Sequence, residues 1–309
     1  MSGSLRDLRQ KIKGIKSTRQ VTKAMELVAA SKMRRAVQNA VTLRKFALAS
    51  WHIFLRIGKK NPDTHMALRP RPVRKVLAIL YTSDRGLTGS LGAQILKTTA
   101  DYISHLKDIQ TYESIDFIVL GRRGQQFLAR SGQNVIAAFP AFSNYPSVRD
   151  IAPIAKLVMT EFMKGTYDHV TLLYPDFISA LAQKPTAKLL LPFSDSTLRD
   201  MIKSLGISPD SARAEAEITF ADDATEYVFE PSEAAVLDTL LSQIVELQIY
   251  QALLEAVASE HSARMVAMKN ASDNASDIID DLTLTYNQTR QSKITSELAE
   301  LSASKAALD

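Results

Sequence analysis

Chemistry in this chain would have to come from a short supply of reactive side chains. Cysteine is absent, which excludes a thiolate nucleophile, a disulfide and a sulfur-ligated metal. The five histidines, His52, His65, His105, His169 and His261, are scattered without metal-ligand spacing. Neither a G-x-S-x-G elbow nor an H-E-x-x-H helix occurs. The stretch "TSDRGLTGSLG" sets Gly86, Gly89 and Gly92 where a phosphate loop would lie. It fits neither G-x-G-x-x-G nor the Walker pattern, so a tight structural turn is the expectation. "GRRGQQ", at a second junction of this kind, could hold an anion but reads first as a surface turn. Asp280 and Asp281 adjoin on a predicted helix and diverge, so they form no acid–base pair. The sequons at Asn270, Asn274 and Asn287 lack a secretory signal and are read as chance. No catalytic constellation emerges, and no cofactor or metal is expected.

Charge is more informative. The net +5 conceals a basic end and an acidic end. Residues 1–60 carry 15 Lys and Arg against Asp7 and Glu26, while residues 232–309 carry 12 acids against five bases. Either the basic end meets an outside polyanion or the two ends attract one another. No apolar run approaches the roughly 18–20 residues of a membrane span.

The elements that position these charges follow from periodicity. "SLRDLRQ" opens with a capping box, Ser4 and Asp7, and Leu5, Leu8, Ile12 and Ile15 recur in steps of three and four. That rhythm continues to Gly58 and predicts a helix over 1–58, followed by a Pro- and Gly-punctuated linker over 59–72. Between 73 and 231 the pattern changes. "VLAILYT", "FIVLG", "NVIAAFP", "HVTLLYP", "KLLLPF" and "EYVFEP" read as strands. The amphipathic stretches 92–107, 125–130 and 149–164 alternate with the first four, and "STLRDMIKSLG" reads as a further short helix. Alternation of this kind predicts a Rossmann-like α/β domain with a parallel sheet. Residues 232–309 hold no Gly or Pro and predict one long helix. Two long helices with apolar seams and opposite charge pair most simply with each other. The expected fold is therefore α/β, a long antiparallel coiled coil of N- and C-terminal helices flanking a Rossmann-like domain.

Coiled-coil pairing alone does not account for "AMELVAASKM" or "HSARMVAMKNASDNAS". These are rich in Ala, Met and Ser on several faces, as expected of a thin rod that exposes soft apolar surface to protein and not to water. A basic N-terminal helix also admits binding to nucleic acid or to an anionic membrane surface, and the α/β domain admits a small-molecule enzyme.

"IKGIKSTRQVTKAMELVAASKMRR", "TSDRGLTGS" and "ASEHSARMVAMKNASDNASDIIDDLTLTYNQTRQSKITSELAE" decide among these. In this order and spanning nearly the whole chain, they resemble the gamma subunits of F-type ATP synthases, of bacterial type. The resemblance implies a central rotor shaft, one copy per complex, inside a ring of three alpha and three beta subunits. It also implies epsilon and the membrane-embedded c-ring as neighbours, catalysis in the beta subunits, and no nucleic-acid partner. Residue by residue it carries the beta-subunit contacts to Lys23, Met25, Arg264, Gln291, Thr295 and Glu297, and the c-ring side to Glu230. Residues up to Asp309 fall in an apolar bearing. A peripheral protein on the cytoplasmic face of a bacterial plasma membrane is expected. Three departures stand out. Thr88 and Ser90 replace the family's common Cys and Gly, the segment 201–223 is lengthened, and without cysteine there is no thiol control.

Overall fold

A computed structural model of the chain describes residues 5–43, 50, 65–141, 146–193, 230 and 232–306. The chain forms two compact units, Met1–Ala30 with Arg264–Asp309, and Ser31–Ala263.

The larger unit is built on a five-stranded sheet in the order β3-β2-β1-β4-β5. Its strands are β1 (Lys75–Tyr81), β2 (Ser114–Leu120), β3 (Asn134–Phe139), β4 (His169–Phe177) and β5 (Gln183–Leu191). The first four are parallel. α2 (Leu91–Lys107), α3 (Arg122–Arg130) and α4 (Val148–Met163) connect them, as the alternation predicts. β5 departs from the expected parallel sheet and runs antiparallel to β4. Only residues 178–182 join the two strands, far short of the dozen or more that a parallel crossover requires. Pro185 marks β5 as an edge strand.

Apolar runs in β1, β2 and β4 are buried on both faces, which explains their continuous hydrophobicity. One face packs Val76, Ala78, Leu80, Phe117 and Val119 under α2 and α3. The other packs Leu77, Ile79, Ile118 and Leu172 under α4 and residues 237–258 of α5 (Glu233–Ala306). α1 (Leu5–Thr42) joins this second core through Ala36, with Val37, Ala40 and Leu43 against it. Each residue of α5 from Leu247 to Ser259 is buried, so this part of the helix is enclosed all round.

α1 ends at Thr42, and residues 44–49 and 51–64 of the expected 1–58 helix lie outside the described residues. The expected strand "EYVFEP", except Glu230, and the helix "STLRDMIKSLG" lie outside them too. The described part of the 59–72 stretch is packed. Ala67 and Leu68 are buried in a 3₁₀ turn, Met66–Leu68, capped by the His65 imidazole. The Ala67 N–H donates to His65 Nδ1 at 3.1 Å, which leaves Nε2–H to meet Asp238 Oδ1 at 2.8 Å. Burial holds the His65 pKa below its ordinary value, against the pull of Asp238. The folded chain thus prefers the neutral ring and binds fewer protons than the unfolded chain. His65 stability is present above about pH 6.5 and is lost as pH falls below that. Thermal midpoints taken from pH 7.5 to 5.5 should show this acid limb, and His65→Gln should flatten it.

The smaller unit pairs the first turns of α1 with the stretch of α5 from about 264 to 289. On α5 the buried positions Met268, Ser272, Ala275 and Ile279 alternate steps of four and three, and the half-covered Leu282, Tyr286 and Thr289 continue them. On α1, Leu5, Leu8, Ile12 and Ile15 form the matching stripe, and the deepest position is Ala29, 2% exposed. A seven-residue repeat makes the pair coil left-handed. Arg9, one turn from the start of α1, lies beside Tyr286, and cover on α5 ceases after Thr289. The start of α1 therefore meets the far end of α5, and the helices are antiparallel.

Candidate coupling surfaces

Two kinds of surface could carry function. One is the outward side of the paired helices in the smaller unit, and the other is the cleft at the carboxyl ends of the strands in the larger one.

On α1, Lys16, Arg19 and Lys23 are exposed, and so are Val21, Leu27 and Val28, at 55%, 61% and 53%. Large apolar side chains so open to water, interleaved with cations, suit contact with an acidic protein surface. Lys23 is already bound to Glu26 one turn on, Nζ to Oε2 3.0 Å. The Lys23 ammonium is exposed while the Glu26 side chain is largely covered. A helical pair at this spacing contributes only about 0.2–0.5 kcal/mol, which leaves the ammonium open to a further carboxylate. Met25 is half-buried beside this pair, where a flexible thioether accommodates a moving partner. On α5, Arg264 is half-buried and the fully exposed run begins after Thr289. Gln291 and Thr295 sit one turn apart there, the Thr295 hydroxyl donating to the Gln291 carbonyl at 3.0 Å. Glu297 is exposed and stands 3.9 Å from Lys293, a loose pair. Beyond them Ile294, Leu298 and Leu301 are 48%, 59% and 66% exposed, with no cover from α1. The structure thus brings Lys23 and Met25 together on one stretch of α1, and Gln291, Thr295 and Glu297 together on one stretch of α5. Glu230 belongs to the other unit and is exposed.

Sequence reasoning missed the clamp between the helices. Arg9 donates from its guanidinium to the Tyr286 hydroxyl at 2.7 Å. Its Cζ is 5.6 Å from the ring centroid, so the hydrogen bond and not the ring face dominates. Only the seam position of Tyr286 hinted at it. Tyr286→Phe should keep the apolar packing, lose the bond, and destabilise the full chain by about 0.5–1.5 kcal/mol in a denaturant titration.

The "TSDRGLTGSLG" turn acts as a bracket. Asp84 accepts from the Arg122 N–H at 2.7 Å and the Ala141 N–H at 3.2 Å, tying the loop after β1 to those after β2 and β3. Thr82 Oγ1 donates to the Leu120 carbonyl and accepts from the Gly124 N–H at 2.9 Å. The Arg123 guanidinium lies over Gly86 and Gly92, close enough that a Cβ on either would be within 3.1 Å of it. The glycines serve this packing, as the reading of a structural turn expects. Beside the bracket a cleft opens among Tyr81, Thr82, Gly92, Pro175, Val257 and Glu260, where open α/β sheets bind ligands. Its lining is mostly apolar, and Glu260 is its one carboxylate. No cluster of three His, Asp or Glu suited to a metal occurs among the described residues. Among them, no helix is long and apolar enough to cross a membrane.

Helices paired along a seven-residue seam, with cationic and apolar side chains left outward, define a protein whose working surfaces are made for other chains. The family model described as ATP synthase matches residues 4–308. The chain is 40% identical over 308 residues to the ATP synthase gamma chain of Roseiflexus castenholzii, covering 99% of this chain and 98% of that one. It is 38% identical over 306 residues to that of Bdellovibrio bacteriovorus, covering 99% of each. The chain belongs to the ATP synthase gamma chain family. Its fold matches the rotor of Euglena gracilis mitochondrial ATP synthase in rotational state 1, with TM-score 0.57, 19% identity, and 94% and 99% of the two chains covered. It also matches the central stalk and c-ring structure from Tetrahymena thermophila, with TM-score 0.55, 24% identity, and 82% and 99% covered.

Proposed function

We propose that this chain is the central rotor shaft of an F-type ATP synthase, one copy per complex, coupling proton-driven c-ring rotation to ATP synthesis or hydrolysis in an alpha3-beta3 ring. Its end-to-end similarity to gamma chains carries the reading. Catalysis then lies in the beta subunits, and this chain contributes torque and asymmetry. The cationic and apolar face around Lys23 and Met25, and Arg264 on α5, meet acidic loops of the beta subunits. Gln291, Thr295 and Glu297 bond to beta-subunit loops further along, and the bare apolar positions Ile294, Leu298 and Leu301 run in a close-fitting sleeve. Glu230 lies on the side of the c-ring, with epsilon beside the α/β unit. The chain is peripheral to the membrane through the c-ring, on the cytoplasmic face of a bacterial plasma membrane.

Physically, the exposed apolar and cationic side chains favour this reading over nucleic-acid binding. Base stacking would call for exposed aromatics among the cations, and α1 offers none between Leu5 and Thr42. The test is co-expression of the tagged chain with alpha, beta and epsilon subunits, followed by affinity capture and an ATPase assay. A complex with three alpha and three beta copies per tagged chain, active only when assembled, is the expected result. A captured nucleic acid whose binding falls steeply with salt, or ATP turnover by the chain alone, would overturn it.

A further inference from the structure

A buried polar stripe runs along α5 within the larger unit. Gln248, Gln251, Glu255, Ser259 and Ser262 recur every three or four residues, and each is 8% exposed or less. Such a stripe costs free energy unless it is used, because buried polar groups without partners lose their hydration. It is only partly satisfied. Gln251 Nε2 donates to Glu255 Oε1 at 2.8 Å, and Ser262 Oγ donates to the Ala180 carbonyl in the β4–β5 turn. Both polar atoms of the Gln248 amide and Ser259 Oγ have no partner among the described residues, and Glu255 Oε2 meets no strict hydrogen bond beyond the neighbouring Tyr174 hydroxyl.

Glu255 is the titratable member, and the groups around it come from each element packed there. β4 supplies Tyr174, whose hydroxyl adjoins the carboxyl, and Asp176. β5 supplies Lys188. β1 supplies Tyr81, edge-on to Tyr174 at 6.3 Å and tied by its hydroxyl to the Ile249 carbonyl at 2.9 Å. α1 brings Ala36, Val37, Ala40 and Leu43, none of them titratable. Glu255 is buried, while Asp176 and Lys188 are half-buried at the edge of the same site. Burial first, and the Asp176 charge second, push the Glu255 carboxyl up to about 7, against Lys188, Gln251 and Tyr174.

We propose that Glu255 is a proton-operated latch between α5 and the β4–β5 side of the sheet. Neutral, it accepts from Gln251 through one oxygen and can exchange a hydrogen bond with the Tyr174 hydroxyl through the other, so the helix stays seated. Ionised, it leaves a carboxylate facing Asp176 in an apolar core, and the seat loosens. The folded chain holds a proton that the unfolded chain gives up above its ordinary carboxyl range. The stability contributed is therefore full below about pH 4.5 and is lost as pH rises through about 7. Because α5 is continuous from Glu233 to Ala306, a looser seat alters the rooting of the same helix that carries Gln291 and Thr295.

The test is amide hydrogen exchange of residues 247–262 in the full-length chain at pH 6 and pH 8, corrected for intrinsic exchange rates, in wild type and Glu255→Gln. Protection in wild type should fall about tenfold between the two values, and in Glu255→Gln by less than about twofold. Equal falls in both proteins, or none in wild type, would overturn the latch. Should Glu255→Gln not fold, carbon-13 carboxyl resonances of glutamate-labelled wild type decide the matter. One carboxyl titrating near neutrality supports the latch, and all of them titrating below about 5.5 sinks it.

Discussion

Gly121→Ala should lower the stability of the chain by at least about 3 kcal/mol, near 5 °C in thermal midpoint, one of the two largest effects expected. Gly121 caps α3 with φ +101°, a backbone region that side-chain-bearing residues rarely enter. A Cβ there would also run into the Thr82 carbonyl oxygen. That carbonyl cannot retreat easily, because Thr82 is held on both sides, its N–H donating to Leu120 at 2.8 Å and its hydroxyl engaged with Leu120 and Gly124. Strain and clash therefore fall on the bracket that joins the carboxyl ends of β1, β2 and β3. Gly132→Ala is the control. It has positive φ but open space around the missing Cβ, so it incurs the conformational cost alone, about 1 kcal/mol. If thermal melts showed the two variants equally stable, the close approach to Thr82 would not be what requires glycine at 121.

Met25→Lys should leave the fold nearly intact and damage coupling. Met25 is half-buried on the rim of the seam, and a lysine stem can follow the same path with its ammonium in water, so folding should change by less than about 1 kcal/mol. On the proposed role, with acidic loops of the beta subunits meeting this stretch, the substitution places a second cation two residues from Lys23 against them. Coulomb attraction between opposite charges grows as the surrounding dielectric falls, so an added cation at this contact would favour one shaft angle over the others. In the assembled complex, ATP-driven proton pumping per ATP hydrolysed should drop several-fold. Thermal stability of the isolated chain should stay unchanged. Full coupling in the variant would mean that the beta-subunit contact lies elsewhere on the helix.

Much of the architecture was legible because it rests on periodicity. A three–four spacing specifies a helical stripe whatever lies opposite, and Leu5, Leu8, Ile12 and Ile15 on α1, like Ile279, Leu282 and Tyr286 on α5, take the covered positions that their spacing implies. Continuous apolar runs likewise marked β1, β2 and β4 as strands covered on both faces. The direction of β5 was less legible, since its residues fit either sense and only the short 178–182 connection selects antiparallel pairing. The stretches 24–33 and 261–276 showed as helix richer in Ala, Met and Ser on several faces than one seam needs, whereas Gln291, Thr295 and Glu297 came from the family resemblance alone.

By itself, then, the sequence determined the helices and strands seen among the described residues, the absence of thiol chemistry and the family, because each depends on local spacing or on motifs read in order. Tertiary structure alone decided which distant groups meet. Arg9 reaches Tyr286 across 277 residues, Asp84 finds two amide groups on other loops, and Glu255 comes under the charges of Asp176 and Lys188. No local pattern encodes such meetings. A carboxylate in a helical sequence looks the same whether its neighbours are water or an opposing sheet, and only folding sets the dielectric and the charges that give it a role.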